Sequence, residues 1–439
     1  MSSFGLSRSR RESLRTNLWL VPSCMVALIA GLFVVTYALD RSVSAGSLTS
    51  SGFVMAGGPD AARQMLIAIA AAIITVAGVV FSITILVLQL ASQQFGPRML
   101  RNFIRDFGTQ VSLGAFVSTF VYAVLALGAV QSGPSPTFVP HISITVALGL
   151  MVVDLGVLIY FIHHVATSIQ LTTVVSGIAR DFRTTLAAMQ ADVSRMQRNL
   201  PPGGAGEQRQ PDTVGAPVVA RASGFLQAIG HERLVTIGAQ SNAVIRLIRR
   251  PGHFIAKGET LGLVFPAEAA PGVSDALDRS HIVGPNRTLT QDLGFAIDQL
   301  VEIALRALSA AVNDTFTALN CIDWLGDCLG RAMAAPLPDG IYRDRRGVVR
   351  LIEPVITMER LVKGATDKIR QSGTGMPAVY IRQLENFNKL MALAQTAEQR
   401  EILLTHAELI LRASEESVQE PADQRDVRTA YDLLIASDR

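Results

Sequence analysis

The chain has 439 residues, of which 49% are hydrophobic and 17% are charged, and its formal net charge is +3. So small an excess of positive charge argues against nucleic-acid binding, which requires many phosphates to be neutralised by Lys and Arg. The 3 cysteines lack paired spacing, which indicates a reducing compartment and predicts no metal site.

Charged residues are nearly absent from two long stretches near the start of the chain. No Asp, Glu, Lys or Arg lies between Arg63 and Arg98. Between Asp106 and Arg180 the only charged residue is Asp154. Uncharged apolar stretches longer than about 20 residues are typical of membrane-spanning helices. We predict four spans, at residues 18–39, 61–90, 110–130 and 141–166.

The positions of the arginines predict how these spans are oriented. Basic residues precede the first span, separate the second from the third, and follow the fourth: Arg8, Arg10, Arg11, Arg15, Arg98, Arg101, Arg105, Arg180 and Arg183. The segments on the opposite side hold only Arg41 and Arg63. The positive-inside rule therefore predicts that both termini are cytoplasmic. Because three more spans follow, the basic start favours a topology anchor over a cleaved export signal.

The second span carries small and polar residues at alternating spacings of three and four. They are Thr75, Gly78, Ser82, Ile85, Gln89 and either Ser92 or Gln93. This spacing places them on one face of a helix. Such a face either packs against another helix or lines an aqueous path, and both roles keep it away from lipid. The candidate pore residues on this face are Thr75, Ser82, Gln89 and Gln93.

Residues 96–107, directly after this span, alternate apolar side chains with Arg98, Arg101 and Arg105. The pattern predicts a short amphipathic helix at the cytoplasmic interface. Its arginines could contact lipid phosphates, or they could form a basic collar at the cytoplasmic mouth of a pore.

The ionisable residues of the fourth span include one acid and two adjacent histidines. Asp154 is near its middle, where an acid is costly and indicates a functional role. It could be neutral and paired with Ser or Thr of a neighbouring helix, or it could belong to an ion path. His163 and His164 lie at the inner end, where they could anchor the helix at the interface or sense pH.

We predict a membrane α-helical fold of four transmembrane helices, followed by a cytoplasmic α+β domain that contains a small β module and a helical bundle. The predicted parts are a membrane domain at 1–170, an amphipathic helix at 171–200, a flexible linker at 201–216, a small β-rich module at 217–290 and a mostly helical domain at 291–439. Within the module we predict strands at 218–230, 233–239, 242–250 and 259–265, with a further short strand at 345–354.

The helical part begins with two predicted helices around a break at 311–314. Asp314 is a candidate N-cap for the second of them. A possible ligand site comprises Asp292, Arg306, Asn313 and Asp314.

Several segments together resemble a bacterial family of predicted four-span inner-membrane proteins of unknown function. They are residues 76–103 (VAGVVFSITILVLQLASQQFGPRMLRNF), 160–170, 223–230, 250–261 and 291–319. The resemblance implies an inner-membrane protein with the layout given above, and it implies no activity. This chain departs from the family pattern at Ala310 and Thr315, where proline is usual, at His253, where an acid is usual, and at Asp154, where an apolar or small residue is usual.

The sequence contains no P-loop, HExxH, GxSxG or paired-cysteine motif, so we expect no enzyme activity and no cofactor. The leading hypothesis is an oligomeric inner-membrane protein that forms a channel-like or transport pathway bordered by the second span. The alternative is a non-conducting sensor or scaffold whose cytoplasmic domain binds a ligand or protein partner. The expected partners are the lipid bilayer, further copies of the chain and an ion or small ligand, but no nucleic acid.

Overall fold

The computed structural model describes residues 19–42, 58–95, 106–131, 138–168, 170–197 and 214–438. These residues form two compact units. The membrane unit holds the described residues up to Gln170, and the C-terminal unit holds those from Leu171 onward.

The membrane unit contains four helices, each long and apolar enough to cross a membrane. They are α1 (Leu20–Ser42), α2 (Pro59–Phe95), α3 (Phe107–Ala129) and α4 (His141–Ser168). The four predicted spans are therefore confirmed. With 37 residues, α2 is about 55 Å long, so it extends well beyond a hydrocarbon core of about 30 Å.

Helix α3 is the centre of the membrane unit, because it packs against each of the other three helices. Its buried positions include the aromatic side chains of Phe116 and Tyr122. Small residues fill much of the rest of its surface, so that neighbouring helices can approach closely.

A buried polar network ties the end of α1 to the start of α4. The Asp40 carboxylate accepts hydrogen bonds from the backbone N–H groups of Ile142 at 2.7 Å and Ser143 at 3.0 Å, and from the Ser143 hydroxyl at 2.7 Å. The same hydroxyl lies 3.2 Å from that of Thr36, which shares a 2.8 Å hydrogen bond with Tyr122 of α3. Asp40 thus caps a helix to which it does not belong, and it satisfies donors that α4 leaves open.

The C-terminal unit begins with the long helix α5 (Leu171–Gln197). Its later helices are α6 (His231–Gln240), α7 (Ala270–Asp278), α8 (Leu293–Ala307), α9 (Thr315–Ala334), α10 (Met358–Ser372), α11 (Pro377–Met391), α12 (Ala397–Ser417) and α13 (Pro421–Ser437). Its strands are β1 (Ala216–Val219), β2 (Gly224–Ile229), β3 (Val244–Leu247), β4 (Phe254–Ile255), β5 (Thr260–Phe265), β6 (His281–Gly284), β7 (Ile341–Arg343) and β8 (Val349–Ile352).

The strands form two small sheets, with the orders β1-β5-β3-β8-β7 and β4-β2-β6. All pairings are antiparallel except that of β3 with β8, where Ile245 lies opposite Leu351. One apolar core includes residues of both sheets and of helices α6 and α7. Because β7 and β8 come from the segment between α9 and α10, this core combines distant parts of the chain.

The prediction of a strand at 233–239 is wrong, since this segment lies in helix α6. The buried residues Leu234, Val235 and Gly238 are spaced as on one helix face, while Arg233 and Thr236 are exposed. The β-branched residues in RLVTIGA favour a strand locally, but packing of one helical face against the core overrides that preference. The short strand predicted at 345–354 is confirmed as β8, and its hairpin partner β7 was not predicted.

Helices α8 and α9 contact each other, and both also contact α5 and α10. Helix α11 packs against α9, and α12 and α13 pack in turn against α11. Helix α5 covers most of the segment 171–200, for which an amphipathic helix is predicted after the fourth span. Residues 201–213 of the predicted linker lie outside the described residues.

We expect Asp40→Ala to lower the free energy of unfolding of the membrane unit by about 1–3 kcal/mol, because it leaves buried donors of α4 unsatisfied. The matched control is Asp60→Ala, which removes an exposed acid from the first turn of α2. Unfolding of the purified protein in mixed detergent micelles measures both changes. Equal stability of the two variants would contradict this role of Asp40.

Candidate functional site

The first candidate site is the polar stripe of α2, defined as Thr75, Gly78, Ser82, Ile85, Gln89 and Gln93. All six residues are exposed on the surface of the membrane unit. The buried residues of the same helix include Leu66, Ile73, Ala77 and Val80, which lie on the opposite face. The polar stripe therefore points away from the other three helices.

The hydroxyl groups of the polar stripe are satisfied within α2 itself. Thr75 donates to the Ala71 carbonyl at 2.7 Å, and Ser82 donates to the Gly78 carbonyl at 2.9 Å. Apart from the adjoining backbone of α2 and the two chain neighbours, no atom of the described residues lies within 4 Å of the position that a Cβ would take at Gly78. The stripe thus offers a smooth surface that another helix backbone could approach closely.

Asp154 lies inside the membrane unit rather than on the polar stripe. Its side chain is 3% exposed, and Thr119 of α3 is its hydrogen-bonding neighbour. Its Oδ2 atom is buried and has no hydrogen-bond partner among the described residues. Asp154 and the polar stripe therefore do not share a surface in one copy of the chain.

The two adjacent histidines of α4 have different surroundings. Nε2 of His164 lies 2.6 Å from the Asp106 carboxylate, which also accepts from the backbone of Thr109 at 2.8 Å and so caps α3. Tyr160 stacks on the His164 ring at 5.3 Å. His163 is exposed. Arg98, Arg101 and Arg105, the predicted basic collar, lie outside the described residues, as does the helix predicted at 96–107 apart from its last two residues.

The second candidate site, in the C-terminal unit, is built around Asp292, whose side chain is 1% exposed. Asp292 caps α8 through the backbone N–H of Phe295. Arg287 binds this carboxylate at 2.8 Å and the Asp298 carboxylate at 2.6 Å. A guanidinium nitrogen of Arg250 is 4.0 Å from Asp292. Burial raises the pKa of Asp292, and the charge of Arg287 opposes that rise.

The loop that carries Arg250 passes close to this carboxylate. Gly252 has a φ of +94°, and a Cβ at this position would lie 2.1 Å from Oδ2 of Asp292. Only glycine combines this backbone conformation with so close an approach. The neighbouring His253 has an Nδ1 atom that is buried and unpartnered among the described residues. Burial lowers the pKa of His253 to about 4, and the charges of Arg250 and Arg249 add to the effect.

These residues border a cleft of about 730 Å³, which we name the basic cleft. Its charged lining residues are Arg249, Arg250, Arg287, Arg360, Lys363, Lys368, Asp298 and Asp367, so six basic residues face two acids. They come from the loop between β3 and β4, the segment before α8, α8 itself and α10. At neutral pH the cleft therefore carries excess positive charge.

A separate cavity of about 490 Å³ in the same unit is lined by His231 and by several arginines near the β7–β8 turn. Nε2 of His231 lies 2.9 Å from the Glu353 carboxylate, which accepts a 2.7 Å hydrogen bond from the Tyr342 hydroxyl. The rings of His231 and Tyr342 stack at 4.5 Å. Burial lowers the pKa of His231, but Glu353 outweighs this effect and the net pKa is raised. Sequence reasoning did not identify these residues, because no motif marks them.

The four residues of the predicted ligand site are not brought together. Asp292 precedes α8, Arg306 lies in its last turn, and Asn313 and Asp314 follow it. Since α8 has 15 residues and is about 22 Å long, Asp292 and Asp314 lie at opposite ends of it. Asp314 caps α9 through the Thr317 backbone at 3.1 Å. Only Asp292 adjoins the basic cleft.

Within the part of the chain that the structure describes, no group of three His, Cys, Asp or Glu residues could hold a metal ion. Cys321 and Cys328 are buried free thiols of α9, and burial raises the pKa of each to about 12.

Comparison with known proteins gives relatives along almost the whole chain. An uncharacterized protein of Mycobacterium bovis and one of Mycobacterium tuberculosis are each 31% identical over 423 residues, which cover 94% of this chain and 79% of the relative. No solved structure matches. A family model with the description "Predicted membrane protein (DUF2254)" matches residues 15–389. Together with the four apolar helices, this match shows that the chain belongs to that family of membrane proteins.

Proposed function

We propose that this protein is an oligomeric inner-membrane protein in which the polar stripe of α2 lines or borders a channel-like pathway. The observation that carries the proposal is the exposure of the polar stripe on the face of α2 opposite the buried one. In a single copy this face, with the Gln89 amide near its end, would meet lipid, where an amide without a hydrogen bond costs several kcal/mol. Contact with another copy or with water in a pathway removes that cost.

Two features of the polar stripe support this arrangement. Thr75, Gly78 and Ser82 lie near the middle of α2, where small residues and self-satisfied hydroxyls allow close packing between copies. Gln89 and Gln93 lie toward the end that leads to Arg98, Arg101 and Arg105. A permeating ion or small solute would meet these amides next to the arginines. The proposed role includes no catalytic step.

We further propose that the membrane is the bacterial inner membrane and that both termini are cytoplasmic. The asymmetric placement of arginines supports this orientation. We expect a C-terminal fusion to green fluorescent protein to fluoresce in cells, because this reporter folds in the cytoplasm. A fusion to alkaline phosphatase at the same terminus should be inactive. The opposite pair of results would contradict the orientation.

We expect Ser82→Cys to cross-link between copies in native membranes, because Ser82 lies at the centre of the proposed interface. Cys24, which is exposed, would first be replaced by Ser. The matched control is Val153→Cys, since Val153 is 61% exposed on α4 and lies outside the polar stripe. Denaturing gel electrophoresis after treatment with a short bismaleimide reports the dimer band. Equal cross-linking at both positions, or at neither, would count against a specific interface.

We expect purified protein in liposomes to pass potassium or chloride, and Gln89→Leu to reduce that flux by about tenfold. The reason is that losing one polar contact to the permeating ion, worth about 1.4 kcal/mol, raises the barrier enough to lower the flux about tenfold. The control is Ile85→Leu, which keeps both volume and polarity within the same stripe. A wild-type protein that passes neither ion, or a Gln89→Leu variant with unchanged flux, would overturn conduction.

The second candidate is a non-conducting membrane-anchored sensor or scaffold, and the basic cleft of the C-terminal unit favours it. Cross-linking at Ser82 without ion flux would support this candidate, because the polar stripe would then serve only to assemble copies.

A further inference from the structure

We propose that the basic cleft is a binding site for phosphate groups that carry at least two negative charges, on a soluble small molecule or on a lipid headgroup. The site lies within the C-terminal unit, so the inference stands whether or not the polar stripe conducts.

The charges of the basic cleft are not balanced by the protein. Three of its cations have carboxylate partners: Arg249 binds Glu259, Arg287 binds Asp292 and Asp298, and Lys363 lies 3.1 Å from Asp367. A guanidinium nitrogen of Arg250 lies 4.0 Å from the Asp292 carboxylate, and Arg287 already binds that carboxylate at 2.8 Å. Arg360 and Lys368 form no ion pair within 4.0 Å among the described residues. Arg360 and Lys368 thus face the cleft without an anion among the described residues, and Arg250 shares Asp292 with Arg287.

Partial burial makes the charge of Arg250 costly when the cleft contains only water. The Arg250 side chain is 17% exposed. Burial lowers its pKa, and repulsion by Arg287 and Arg360 acts in the same direction. An anion in the cleft would relieve this repulsion and would interact with the cations through a lower effective dielectric constant than at an open surface.

The inner wall of the cleft is held in place before any ligand arrives. Asp292 fixes Arg287 and at the same time caps α8, while Gly252 brings the Arg250 loop against the same carboxylate. Arginine presents several N–H donors in a planar arrangement that suits phosphate oxygens. Because these guanidinium groups are held by the protein, a ligand loses little binding free energy in ordering them.

His253 adds a polar group without a partner. Its Nδ1 atom is buried and unpartnered among the described residues, and the neutral ring offers one donor and one acceptor. The volume of about 730 Å³ lies within the usual range for small-molecule sites. The combination of size, fixed arginines and open cations fits a compact polyanion better than a single inorganic ion such as chloride.

The test is calorimetric titration of pyrophosphate into the full chain in nanodiscs of phosphatidylcholine. We expect saturable binding, and we expect Arg360→Gln and Lys368→Gln each to weaken it about tenfold through loss of a charge-assisted contact. Neither side chain forms an ion pair within the described part of the unit, so both variants should fold. The matched controls are Arg412→Gln and Lys389→Gln, which remove exposed cations from α12 and α11.

A second arm distinguishes the two sources of phosphate. If the ligand is soluble, adding phosphatidic acid to the nanodiscs should leave the affinity for pyrophosphate unchanged. If a lipid headgroup enters the cleft, phosphatidic acid should compete with pyrophosphate and weaken its apparent binding. Either result supports the site. No saturable binding in phosphatidylcholine, or equal weakening by the cleft variants and the two controls, would overturn it, because the attraction would then be a non-specific effect of surface charge.

Discussion

Hydrocarbon offers no hydrogen-bond partners, and this constraint governs the four apolar helices α1 to α4. The backbone must be helical there, and polar side chains must find partners within the protein. Asp40 meets the requirement by capping α4, and Ser82 meets it by bonding to its own helix. The outward-facing amide of Gln89 meets it where the protein contacts water or another copy at that face. The rule that explains the folded core is therefore also the basis of the proposed assembly.

In the C-terminal unit, buried charge is compensated by ion pairs between carboxylates and arginines, and some of these carboxylates lie at the ends of helices. Asp292 is the clearest case, since it both caps a helix and neutralises Arg287. Such a residue fixes the position of one arginine in the wall of the basic cleft. Other cations of the cleft stay available to a ligand. The membrane unit thus exposes the Gln89 amide on its surface, and among the described residues of the C-terminal unit Arg360 and Lys368 form no ion pair within 4.0 Å.

The four spans could be predicted because missing charge is a local property of the sequence. The strand predicted at 233–239 failed because Val235 and Ile237 favour strands locally, whereas the helix is decided by burial of Leu234 and Gly238. The contact of Asp40 with Ser143 joins residues 103 positions apart, and no periodicity reveals it. The basic cleft was beyond prediction for the same reason, since its walls come from four separate segments. Of the predicted ligand residues, only Asp292 adjoins it.

The parallel pairing of β3 with β8 has a consequence for how this chain can be divided. Strand β3 is complete only when residues 349–352 have returned to it, after α8 and α9 have been made. A chain truncated between these segments would leave β3 as an open edge with unpaired N–H and C=O groups, which is a template for aggregation. The smallest fragment of this unit in which β3 is paired on both sides must therefore include β8. The sheet can form completely only after residues 349–352 have been synthesised.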